Sequence, residues 1–134
     1  MSEEIREPER DVPRSPFADI LAGMSARIPG AVAAVFFDVE GEAIDYHSFF
    51  DPFRTRLVAA HCVVLFESAR QRLQWMGCGE LARLDSIGAT HETVTVQVGG
   101  GYYLTVFMTA GGAGDDLETA LEEAVVRLRM ETGI

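Results

Sequence analysis

The segment Ala31–Val39, AVAAVFFDV, is apolar on both of its alternating faces. Read as a strand, it puts Val32, Ala34 and Phe36 on one side and Ala33, Val35, Phe37 and Val39 on the other. A strand apolar on both faces needs a covering layer on each side of its sheet. The small alanines suit close approach by a helix. Pro29-Gly30 precedes the strand, and the acidic turn Asp38–Gly41 follows it, with Gly41 placed to take a positive φ.

The rest of the chain supplies candidate layers. Ser15-Pro16 reads as a helix start, with Ser as N-cap and Pro at the first helical position. Phe17, Ile20, Leu21, Met24 and Ile28 then fall on one helical face. A second strand is expected over about Glu42–Phe50, less cleanly alternating and so nearer an edge. Asp51-Pro52 repeats the cap-plus-proline start of a long helix that runs to Met76, where Gly77-Cys78-Gly79 stops it. Three strands follow, over Leu81–Thr90, Glu92–Val98 and Tyr102–Thr109, as an antiparallel meander. In Glu92–Val98 the valines are expected inward and Thr93, Thr95 and Gln97 outward. Asp115 is expected to cap the last helix in a D-x-x-E arrangement with Glu118.

The middle of the long helix, LVAAHCVVLF (Leu57–Phe66), is apolar around most of its circumference. A helix lying on a small sheet should carry one apolar stripe. A second apolar surface implies a second thing to pack against, and this chain offers only its own sheet. A second chain is therefore expected along this helix.

The 134 residues suit one domain, assigned to residues 15–134. Residues 1–14 alternate acidic and basic side chains with two prolines, and are expected to form a disordered tail. All 11 basic residues are Arg, and the net charge is -10. That balance speaks against a nucleic-acid or anionic-membrane binder. No run approaches the ~18–20 apolar residues of a bilayer span. With no apolar leader in Met1–Arg14 and two cysteines, Cys62 and Cys78, read as reduced thiols, a cytoplasmic protein without membrane insertion is expected.

Chemistry is sparse. Gly99-Gly100-Gly101 lies between two strand patterns, and the chain has no lysine, so a hairpin turn is expected rather than a phosphate cradle. Gly111-Gly112 precedes a helix but is followed by Asp115-Asp116, which would repel an anion. His47, His61, His91, Cys62 and Cys78 show no metal-ligand spacing. Asp38, Glu40, Glu42 and Asp45 do not match a calcium loop and read as a solvated turn. No enzyme, metal or cofactor is expected. Arg70, Gln71 and Gln74, beside the only tryptophan, Trp75, are the candidate partner-binding residues, since Arg and Trp are favoured at interfaces.

The order helix, two strands, long helix, three strands, helix, together with F-x-x-I-L (Phe17–Leu21), P-G-A (Pro29–Ala31) and A-V-F-F-D-V-E-G (Ala34–Gly41), resembles the roadblock/dynein light chain family. The strand Gly101–Val106 and the helical ending Leu121–Arg129 are similar to it too. The resemblance implies an α+β fold: a five-stranded antiparallel sheet between one long helix and two terminal helices, in the roadblock or profilin-like manner. It also implies a homodimer with a ten-stranded sheet, paired through the long helix and third strand. Here that interface falls on Leu57, Val58, His61, Cys62, Val64, Leu65, Leu84 and Ile87. Bacterial and archaeal members regulate Ras-like small GTPases, which makes such a GTPase the expected partner and a GTPase-activating role conceivable. A scaffold or adaptor subunit is the second reading. A profilin-like or PAS-like sensor is the third, and it requires a pocket lined by Phe36, Tyr46 and Phe107.

Overall fold

The computed structural model describes residues 7–134. The Ser15 hydroxyl accepts from the Phe17 N–H and starts α1 (Pro16–Ser25), which ends one turn earlier than the apolar periodicity suggests. Ile28 is still buried, in the turn beyond the helix. β1 (Ala31–Asp38) and β2 (Ala43–Ser48) form a hairpin. In its turn the Asp38 carboxylate accepts from the Glu40 and Glu42 N–H groups at 2.9 and 3.1 Å, and Gly41 takes φ 80°. The acidic turn is thus held by its own backbone donors.

Asp51 caps α2 (Pro52–Trp75) by accepting from the Arg54 N–H at 2.8 Å. β3 (Arg83–Ile87), β4 (His91–Gly99), β5 (Tyr102–Thr109) and α3 (Leu117–Thr132) complete the chain. Gly99, Gly100 and Gly101 all have positive φ in the β4–β5 turn, the conformation that favours glycine there. The expected cap at Asp115 is not formed. α3 begins after Asp116, without a side-chain cap bond, because the Asp116 carboxylate is taken by Arg27 at 2.6 Å and Glu118 by Arg83 at 2.6 Å.

The strands lie in the order β2-β1-β5-β4-β3, each neighbouring pair antiparallel. β1 is flanked on both sides and feeds two cores, as its two apolar faces require. Ala34 and Phe36 pack with Leu21, Met24, Leu121 and Leu128 beneath α1 and α3. Val35 and Phe37 pack with Tyr46, Ala59, Val63 and Phe66 beneath α2.

Two expectations about polar side chains are corrected. Thr95, expected outward, is 3% exposed beneath α2, where its hydroxyl pairs with that of Thr105 at 2.7 Å. Asp45, read as part of a solvated turn, is 2% exposed. Its carboxylate receives the Ser15 N–H at 3.1 Å, the Tyr46 N–H at 2.7 Å, the Ser15 hydroxyl and the Arg10 guanidinium. Residues 1–6 of the expected tail lie outside the described residues. Residues 7–14 run beside β2, where Arg10 also donates to the Tyr46 carbonyl at 2.8 Å and Asp11 meets Arg56 of α2 at 2.9 Å.

Candidate partner-binding surface

The buried residues of α2 are Thr55, Ala59, Cys62, Val63 and Phe66, all on one side of the helix. At about 100° per residue, Leu57, His61, Val64, Ser68, Gln71 and Trp75 fall on the opposite side, in alternating steps of four and three. That spacing is the one by which a helix presents a seam to another helix. The apolar members are substantially exposed: Val64 at 65%, and Trp75 at 87%. Leu65, Phe53 and Met76 extend the exposed apolar surface along the flanks. A patch of this kind on one element marks an interaction surface.

The structure sorts the expected interface residues. Leu57, His61, Val64 and Leu65 point away from the core. Cys62 faces inward and is buried, with its thiol pushed up by that burial. Val58 and Leu84 are half-buried against the α2-side core. Ile87 is exposed at the edge strand but lies on the other face of the sheet. It pairs with Glu92, in phase with the Arg83 and Asp85 side chains, and Arg83 reaches Glu118 of α3.

The expected partner-binding residues separate as well. Gln71 and Trp75 lie on the outward seam. Arg70 turns to the flank, where it pairs with Glu67 at 2.8 Å and donates to Gln74 at 3.2 Å. Gln74 in turn donates to Glu80. Glu67 also accepts from the Tyr103 hydroxyl. Burial, and then this bond, push the Tyr103 phenol up to about 12. Arg70 and Gln74 are therefore engaged within the chain. Arg72, not among the expected partner-binding residues, lines an open hollow with Ser68, Gln71, Trp75 and Met76. No acidic side chain among the described residues holds it. The available signal was the two-residue step from Arg70, which turns a side chain about 200° around the helix and so off Arg70's flank.

The three histidines lie on three different elements. His61 is on the α2 seam, His47 is near Glu7 at 3.2 Å, and His91 lies beside Thr90 and Phe107. Among the described residues no three His, Cys, Asp or Glu side chains are grouped to hold a metal ion. No helix among them is long and apolar enough to cross a membrane. Gly112 receives the Gly30 N–H on its carbonyl at 2.7 Å, so the second glycine loop packs against Pro29-Gly30 instead of opening toward an anion. The pocket required by the sensor reading cannot form from its three residues. Phe36 faces α1 and α3 between Phe17 and Tyr102, whereas Tyr46 and Phe107 are on the α2 side of the sheet.

A five-stranded antiparallel sheet with one long helix on one face and two terminal helices on the other is the roadblock/LC7 fold. A roadblock/LC7 domain from Streptomyces avermitilis superposes with a TM-score of 0.79 at 19% identity, over 86% of this chain and 96% of that one. MglB of Myxococcus xanthus matches with a TM-score of 0.73 at 15% identity, over 90% of this chain and 100% of that one. MglC of the same organism matches with a TM-score of 0.60 at 18% identity, over 84% and 96%. No protein-family model and no characterised protein matches the sequence.

Proposed function

We propose that this chain is a homodimeric regulator of a Ras-like small GTPase and acts by binding, with no catalytic centre of its own. The observation that carries the reading is the outward seam of α2: apolar from Phe53 to Leu65, then Gln71, Arg72, Trp75 and Met76 at its C-terminal end. The apolar half suits a second copy of the same helix. The C-terminal end has the Trp, Arg and Met composition favoured in the core of protein interfaces. The fold shared with MglB and MglC supports a regulator, since the roadblock resemblance implies small-GTPase partners.

The test mixes the purified protein with a Ras-like GTPase encoded beside it, and measures binding by calorimetry and GTP hydrolysis by phosphate release. A regulator binds and changes the hydrolysis rate; binding with an unchanged rate identifies an adaptor. No binding to any such GTPase overturns both. Trp75→Ala should weaken binding by about 2 kcal/mol, roughly thirtyfold. Because Trp75 is 87% exposed, folding stability should stay within about 0.5 kcal/mol of the parent. Undiminished affinity in this variant would move the partner site elsewhere.

A further inference from the structure

The sheet has two edges, and they are finished differently. β3 ends one side, with no segment of the described chain laid along it. β2 ends the other, and residues 7–14 run beside it. Phe49 donates its N–H to the Val32 carbonyl at 2.9 Å, so the alternation of an antiparallel ladder turns the Tyr46 backbone groups outward. Both are occupied by side chains. The Arg10 guanidinium reaches the Tyr46 carbonyl at 2.8 Å, and the Asp45 carboxylate takes the Tyr46 N–H at 2.7 Å. Arg10 also lies over the Tyr46 ring, 4.4 Å from its centroid, and Asp11 accepts from the Tyr46 hydroxyl at 2.7 Å. Between residues 7–14 and β2 there is no backbone-to-backbone hydrogen bond. At Tyr46 the edge is closed by side chains alone.

An open edge is a template for another strand. We infer that the β2 edge is a covered strand-addition surface, and that its occupant, once the Arg10–Asp11 strap lifts, is the same edge of a second copy. The edge is self-complementary about Tyr46. In an antiparallel pair centred there, the two Tyr46 residues exchange N–H and carbonyl bonds. Asp45 of each copy then stands opposite His47 of the other, so an imidazole replaces the guanidinium at the buried carboxylate. Ile44, 40% exposed, comes to lie opposite the other Ser48. Such a contact is isologous and leaves β3 and α2 free, so it can join whole assemblies built through those elements. The strap thereby limits the protein to the assembly its other face makes.

Sedimentation velocity and light scattering of the full chain test this, with the parent protein at equal concentration as the baseline; the outcome does not depend on whether that parent is a monomer or a dimer. R10A/D11A should populate species of at least twice the parent mass, increasing with concentration. Adding Ile44→Lys, an exposed edge charge that faces no core residue, should return the mass to that of the parent. If R10A/D11A loses its helical circular-dichroism signal, R10A alone carries the same two arms, since it removes the side chain that occupies the Tyr46 carbonyl while the Ser15 donors to Asp45 remain. A folded variant that keeps the parent mass at every concentration overturns the inference. So does a larger species that persists in the presence of Ile44→Lys.

Discussion

Val64→Glu tests the proposed second-copy contact separately from the fold. Val64 sits on the outward side of α2, 65% exposed, while the inward side is carried by Ala59, Cys62, Val63 and Phe66. Complete burial of a valine is worth about 1.5–3 kcal/mol relative to full exposure. The part still available for burial is thus about 1–2 kcal/mol per protomer. A two-fold interface counts it twice, about 2–4 kcal/mol, which weakens association roughly 30- to 700-fold. Placing a carboxylate in an apolar seam adds a desolvation cost on top. Light scattering over a concentration series should show the dimer shifting to monomer. Denaturant unfolding at low protein concentration should change by no more than about 0.5 kcal/mol. A folded Val64→Glu protein with an unaltered dimer would refute the seam as the interface. A collapse of monomer stability would refute the claim that Val64 takes no part in the core.

Other substitutions test the fold that positions this seam. Burial opposes ionisation of Asp45, yet the Ser15 hydroxyl, the Tyr46 N–H and Arg10 outweigh it and hold the carboxyl below its ordinary 3.8. A depressed carboxyl stabilises the fold above that ordinary value, and the contribution is lost as pH falls through the folded value. Asp45→Asn should therefore be about 2 kcal/mol less stable near neutral pH, and the gap should narrow below pH of about 4, as read by denaturant melts across pH; a gap of constant size would contradict the assignment. Gly30→Ala would put a Cβ 2.4 Å from the Thr109 hydroxyl and 2.6 Å from the Gly112 Cα, and should lower stability by about 1–3 kcal/mol in the same melts. Gly23→Ala, on α1 with nothing within 4 Å of its new Cβ, should instead raise it by about 0.5–1 kcal/mol.

What was legible in the sequence was local. The two-faced β1, the capped starts at Ser15 and Asp51 and the glycine stops each depend on neighbours a few residues away, and each lies where the pattern puts it. What escaped depends on distant partners. Asp45 reads as solvent-facing until Arg10 and Ser15, thirty or more positions earlier, are seen to close over it. Thr95 reads as outward until Thr105 on the next strand satisfies its hydroxyl. Asp115 reads as a cap because nothing nearby reveals that Arg27 will draw in Asp116. On α2, Gln71 and Trp75 lie on the outward side, whereas Arg70 is held by Glu67 and Gln74; composition alone does not say which side of α2 the sheet will take.

The distribution of packing also bears on what kind of function the fold can carry. Both sheet faces are filled by aromatic and aliphatic side chains: Phe36 between Phe17 and Tyr102, and Phe37 stacked on Tyr103 at 5.5 Å. The buried hydroxyls of Thr55, Thr95 and Thr105 are paired within the chain. A small molecule entering either core would have to displace side chains that are fully buried, at several kcal/mol each. Unspent apolar surface remains on the outer side of α2, where Val64, Leu65, Trp75 and Met76 stand free of the core. The apolar surface left over by the fold is thus concentrated on one outer helix, away from both packed interiors.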